Sequence, residues 1–234
     1  MFKFLMRISL PKNRSPGMLL ALTFICVAAL GVSAQVSAPV VKEDTQQWND
    51  VQVAVPLNKE IDFILTGTWR FGRDVTHLVD RRVGIAFSFK VGKYLTLSPS
   101  YQNIVMRPAA NRKSDENRLS FAATLRVPLG KFVLSDRNTF ERRVRTPLDS
   151  TRYRNRLQLE HPVKFRETAL QLFVSDEVFY DWSFDEWVRN RFAVGLSRRF
   201  NKHFTGDFYY MRQNDGRSRP GDLNVIGATY RIRL

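Results

Sequence analysis

Cysteine is nearly missing from this chain of 234 residues: Cys26 stands alone. A disulfide framework is therefore excluded, and so are cysteine-ligated metal sites. Histidine is scarce as well, limited to His77, His161 and His203. Acidic residues are outnumbered, 22 against 37 lysines and arginines, which leaves a formal charge of +15. After Ala34 no helical periodicity is sustained, and no stretch stays apolar for the roughly 20 residues that a membrane helix requires. A helical membrane protein is thereby set aside.

What is present begins at the N-terminus. Lys3, Arg7, Lys12 and Arg14 carry positive charge with no acidic residue among them, and an apolar run follows from Met18 to Leu30. Val32-Ser33-Ala34 then supplies a small-residue cleavage site. This order predicts a secretory signal peptide over residues 1–34 and a mature chain starting near Gln35. Cys26 falls inside that leader behind Ile25, which is not the small residue that lipid attachment needs. Export argues against a nucleic-acid partner for the positive charge, and no helix-turn-helix, finger or RNA-platform pattern is found.

The mature chain is a succession of alternating blocks. From Val83, every second residue is large and apolar: Val83, Ile85, Phe87, Phe89 and Val91, with Gly84, Ala86, Ser88 and Lys90 between them. Similar blocks run from Val51–Leu57 to Tyr230-x-Ile232-x-Leu234, about eleven in all. Period two alone does not say which face is inside. A soluble sheet buries its apolar face, whereas a membrane barrel turns it to lipid.

The connections favour the membrane. Short turns are expected at Pro56–Lys59, Gly92-Lys93, Pro128–Lys131, His161–Val163 and Asn201-Lys202. They alternate with longer polar loops at Gly72–Leu78, Pro108–Asn117, Thr146–Thr151, Asp181–Glu186 and Asn214–Gly221. Outer-membrane barrels have this asymmetry between their two ends. Aromatic residues near block ends, among them Trp69, Phe71, Tyr94, Tyr180, Tyr210 and Tyr230, suit interfacial girdles. The expected fold is all-β: an antiparallel up-and-down transmembrane β-barrel of 10 or 12 strands, in a Gram-negative outer membrane. An even count follows from having both termini in the periplasm. It requires either that Val51–Leu57 lie outside the wall or that Val36–Glu43 add a strand. The expected organisation is residues 1–34 signal peptide, 35–46 an N-terminal segment, and 47–234 barrel.

Several short segments follow one another in order: Gln47-Trp48-Asn49-Asp50-Val51, Arg152-Tyr153-Arg154-Asn155-Arg156-Leu157, Glu177-Val178-Phe179, Arg189 through Leu196, and Tyr209-Tyr210-Met211-Arg212-Gln213. Together they resemble the exported proteins of the domain-of-unknown-function 2490 family over roughly Thr45 to Leu234. The resemblance implies an outer-membrane β-barrel and implies no activity.

Parity places a set of arginines on the lumenal face, with Arg118, Arg143, Arg154, Arg156, Arg189 and Arg191 as the candidate stripe. If the hairpins close at the turns above, Arg118, Arg143 and Arg154 stand side by side. Like charges directly opposite destabilise a sheet, so compensation is expected, with Glu141 beside Arg156 and Glu177 beside Arg189. Two readings follow. The arginines form a selectivity stripe for small anions in a narrow channel, or they join Arg–Glu networks that fill and close a structural barrel. A lipid hydrolase is the third class considered. His77 lies near Asp74 and Asp80, but no histidine has a serine at the spacing that would share its strand face. The expectation is a non-enzymatic protein with no catalytic residues, metal or cofactor. Expected partners are outer-membrane lipids and lipopolysaccharide, the latter facing basic loops such as Arg107–Lys113. The barrel-assembly machinery is a further expected partner, engaging the C-terminal strand, and small anions are candidate solutes.

Overall fold

A computed structural model describes residues 43–109 and 112–234. The expected signal peptide and all but the last few residues of the N-terminal segment lie outside the described residues. Eleven strands form the wall: β1 (Asp44–Pro56), β2 (Ile61–Gly72), β3 (His77–Val91), β4 (Leu95–Ala109), β5 (Arg112–Leu129), β6 (Phe132–Arg145), β7 (Ser150–Phe165), β8 (Thr168–Asp181), β9 (Glu186–Arg199), β10 (Phe204–Asp215) and β11 (Leu223–Arg233). Each pairs with its sequence neighbour, and β1 pairs with β11, so the sheet closes on itself. All pairings are antiparallel except β1 with β11, which run parallel from Asp44↔Leu223 to Ala54↔Arg233.

The count corrects the expectation of ten or twelve strands. The Val51–Leu57 block belongs to the wall, since Val51, Val53 and Val55 pair with Gly67, Leu65 and Phe63 of β2. The described residues close the barrel without a strand before Asp44. An odd number of alternating strands leaves the first and last pointing the same way, and the parallel pair accommodates this. Asp44 and Leu234 consequently sit at opposite ends of the barrel.

Three connections also differ from expectation. β7 runs straight through His161-Pro162-Val163, with Pro162 opposite Gln171, and turns only at Arg166-Glu167. Proline is barred from a strand only where its missing N–H would close a ladder bond or its ring would clash. Arg166 takes the left-handed backbone conformation instead (φ 53°). At the other end, β5 and β7 extend into the polar stretches expected to be loops. Gly92 (φ 66°) and Gly130 (φ 61°) make the tight turns after β3 and β5, where a side chain would be strained.

Alternation assigns two faces. Phe87, Ile85, Val83, Leu119, Phe121, Phe140, Phe192, Val194 and Ile226 point outward and are exposed, Ile226 at 65%. Asp62, Thr68, Asp80, Glu116, Arg118, Glu141 and Arg152 point inward and are buried. Rings gather toward both rims of the outer face. Phe140, Tyr153, Tyr180, Trp182 and Trp187 cluster at the long-loop end. Phe200, Phe204, Phe208 and Tyr230 cluster at the short-turn end.

Polar side chains interrupt the outer face between β6 and β9, and they are bonded to one another. Asn155 Nδ2 donates to Asp136 Oδ1 (2.6 Å) and Asn138 Oδ1 (3.0 Å), and Asn190 Nδ2 donates to Asp176 Oδ1 (2.8 Å). Mutual bonding lowers the cost of holding such groups away from water.

Part of the lumen is apolar. Trp48, Ala193, Met211, Leu223 and Val225 form a buried cluster with Tyr209 against it. The Tyr209 ring lies on Gly227, where an added Cβ would come within 2.0 Å of a ring carbon. The wall can close over this ring only because residue 227 has no side chain. Gly227→Ala is expected to cost about 1–3 kcal/mol, the usual penalty of overpacking. It should lower the temperature at which the folded band is lost on semi-native gels, and an unchanged temperature would show that the contact does not matter.

Candidate functional site

The inward faces of β5 to β9 bring arginines and carboxylates together. Arg118 stands directly opposite Arg143, as the sequence predicted. Arg154 does not join them: its register partner is Thr139, while Arg143 faces Ser150. The β6–β7 hairpin closes two residues earlier in the chain than the predicted loop centre, which slips the register by four. Asp149 fixes this short closure by accepting from the Arg145 backbone N–H (3.0 Å). As a result Glu141 faces Arg152 rather than Arg156. Glu177 faces Arg191 on β9 and Arg156 on β7, while Arg189 faces Phe179. An irregularity in the β8–β9 pairing at Phe179/Tyr180 produces that second slip.

The carboxylates sit between the cations. Glu116 accepts from Arg143 through both oxygens (3.0 and 2.8 Å) and from Arg118 Nε (2.7 Å). Glu141 accepts from Arg152 Nε and Nη2 (2.9 and 2.6 Å) and lies 3.7 Å from Arg118 and 3.6 Å from Arg154. Glu177 is 3.4 Å from Arg154 and 3.5 Å from Arg191. Asp181 is 3.6 Å from Arg143. On the far wall Asp80 binds Arg82 (2.5 Å) and lies 3.5 Å from Arg70. Arg189 is held by Asp215 and by Ser218 Oγ (2.7 Å). Arg118 and Arg143 are tolerable face to face because Glu116 lies against both and is bidentate to Arg143.

Phe179 is wholly buried in the middle of this network. Four guanidinium carbons surround its ring, those of Arg191 (4.8 Å), Arg152 (4.9 Å), Arg189 (5.4 Å) and Arg154 (5.9 Å). Arg191 also lies 4.9 Å from the Trp48 ring, which Arg70 covers from 3.5 Å. Cation–π attraction strengthens where water is excluded. A continuous set of contacts thus crosses the lumen from β1 to β8. Glu116 and Glu141 are 1% and 2% exposed at its centre, so water has no broad path through this level.

All six predicted arginines face the lumen. Arg118, Arg143, Arg154, Arg189 and Arg191 join the network together with Glu141 and Glu177. Arg156 lies outside it, exposed and one layer nearer the short turns. The sequence reading passed over Glu116 and Asp181 because it placed both in loops. It also missed Phe179, which parity puts on the lumenal face between two outward residues. At the long-loop rim Glu43 precedes β1, and hydrogen bonds from Arg212 and Asn224 hold its carboxyl below the usual carboxylate range. The histidines lie away from the network: His77 Nδ1 contacts Thr76 Oγ1 (2.8 Å), His161 the Lys131 carbonyl (3.3 Å), and His203 the Arg233 carbonyl (2.6 Å).

Comparison with protein families bears directly on this region. A family model described as protein of unknown function (DUF2490) matches residues 45–224. The chain belongs to the DUF2490 family. The DUF2490 region contains every residue of the lumenal network, from Trp48 to Asp215. No curated protein matches the chain.

Removing one carboxylate from the network strands the cations around it. Glu141→Gln is expected to reduce unfolding free energy by about 3–5 kcal/mol, as when one member of a buried ion pair is lost. Replacing Glu141 by Leu together with Arg152 by Met should recover part of that loss. Urea unfolding in detergent micelles reads both effects, and a Glu141→Gln protein as stable as wild type would contradict the network's role.

Proposed function

We propose that this protein is an integral outer-membrane barrel whose own side chains close its lumen, acting as a structural component of the envelope rather than an open pore. The observation that carries this reading is the buried set of contacts through Glu141, Arg152, Phe179, Arg191 and Trp48. A narrow barrel has room for little else once such side chains meet at its axis. The outward-facing belt of Val83, Ile85, Phe87, Leu119, Phe121 and Phe192 supports lipid as its surroundings, since water-exposed apolar area of this extent is rare on soluble monomers. Aromatic clusters at both rims suit the two interfaces of a bilayer. The longer loops then face outward beside lipopolysaccharide, and the short turns face the periplasm. The leader read in residues 1–34 supplies the route of export.

A narrow anion-preferring channel has less support, because carboxylates answer most of the arginines at the network level. It would need Glu116, Glu141 and Glu177 to let go of their partners. A lipid hydrolase has less still: the contact of the His77 ring is the hydroxyl of its own neighbour, Thr76.

Planar bilayers distinguish these readings. Purified protein is expected to insert without producing discrete conductance steps at neutral pH. Steady, anion-selective steps from the wild-type protein would overturn the closed-lumen reading.

A further inference from the structure

At the edge of the network toward the short turns, the balance of charge changes, with Arg154 belonging to both regions. Arg137 on β6 stands directly opposite Arg156 on β7, and Thr139 stands opposite Arg154. These four lumenal residues form a two-by-two square on adjacent strands. Among the described residues, four buried side-chain atoms have no hydrogen-bond partner: Arg70 Nε, Arg137 Nε, Thr139 Oγ1 and Arg154 Nε. All but Arg70 Nε belong to this square. Thr139 is 1% exposed, so its hydroxyl is fully withdrawn from bulk water.

No carboxylate oxygen approaches within 4.0 Å of Arg137 or Arg156 among the described residues. Glu177 faces Arg156 in register but is drawn to Arg154 and Arg191. Arg154 Nε lies 3.4 Å from Glu177 Oε1, close enough for attraction without hydrogen-bond geometry. The square therefore holds like charges face to face, which costs stability in a sheet, together with buried donors that have nothing to donate to.

We propose that Arg137, Thr139, Arg154 and Arg156 form a binding site for a small soluble oxyanion of the phosphate type. Each feature that is unfavourable in the bare protein becomes favourable with such a ligand. A tetrahedral oxyanion accepts several hydrogen bonds from different directions, and two guanidiniums with a hydroxyl supply donors of that kind. Its charge separates Arg137 from Arg156. A halide offers no directed acceptors and gains less. The exposed Arg156 opens the square toward the short-turn end, while the Glu141–Phe179 layer blocks it from the other. The inference goes beyond the closed-barrel reading and does not need it, because the square faces the lumen whatever surrounds the wall.

The test uses the full barrel in detergent micelles. Inorganic phosphate is titrated calorimetrically and by thermal unfolding, against chloride at matched ionic strength. Phosphate is expected to bind saturably and raise the unfolding midpoint, and chloride to do neither. Arg137→Met and Thr139→Val should each weaken phosphate binding by about tenfold or more, consistent with loss of one charge-assisted or neutral donor. Arg81→Gln, on the outer face of β3, should leave it unchanged. If Arg137→Met does not refold, the nearly isosteric Thr139→Val decides. Phosphate and chloride acting alike, or phosphate binding that survives both square variants, would overturn the site. An equal loss in Arg81→Gln would do the same.

Discussion

Opposed guanidiniums inside a narrow tube are the constraint around which the rest of this structure is arranged. Arg118 and Arg143 face each other across β5 and β6, where their repulsion is screened by neither bulk water nor distance. Glu116 lies against both, and Glu141 links Arg118 to Arg152 and Arg154. With those carboxylates in place the side chains draw together until Phe179 is fully enclosed. Charge neutralisation and lumen filling are thus one event. Losing an acid would both release a cation and loosen the packing that excludes water.

The arrangement is uneven along the barrel axis. At the level of Phe179 each arginine of the network has a carboxylate within 4.0 Å, shared where needed, and aromatic rings complete the packing. One layer nearer the short turns, arginines outnumber their partners, and beyond them Arg126 finds Glu160 with two bonds of 2.7 Å. On the outer surface, Arg81, Asp115, Arg142 and Arg212 lie toward the long-loop end, and mutually bonded Asn and Asp side chains interrupt the apolar belt between β6 and β9. A barrel built this way turns apolar residues outward and keeps its charged groups toward the axis.

Much of this was legible before any coordinates. Period two in Val83–Val91 defined two faces, and the wealth of arginine on the polar face pointed to a lumen rather than a solvated surface. Acids two residues before an arginine on one strand face recur in the sequence; Asp80 and Glu116 do bind Arg82 and Arg118, whereas Glu141 turns from Arg143 to Arg152. Glu116 was overlooked because polar composition around Pro108–Asn117 reads as loop when strands lengthen past the apolar belt. Register was the weaker part. It depends on which residues of a turn actually close it, and neither the Asp149 bond to the Arg145 N–H nor the irregularity at Phe179/Tyr180 leaves a mark in hydropathy. Strand number failed for a related reason: an even count presumes antiparallel closure, and here β1 meets β11 in parallel.

Polarity of the wall is the central claim, and position-specific quenching tests it most directly. Cys26 is the single cysteine of the sequence, so in a chain produced from Gln35 onward single cysteines at Phe87, Leu119 and Phe192 can each carry one fluorescent label. In bilayers containing brominated acyl chains, the account predicts strong quenching at all three positions and little effect of aqueous iodide. Quenching by iodide with no response to brominated lipid would contradict it.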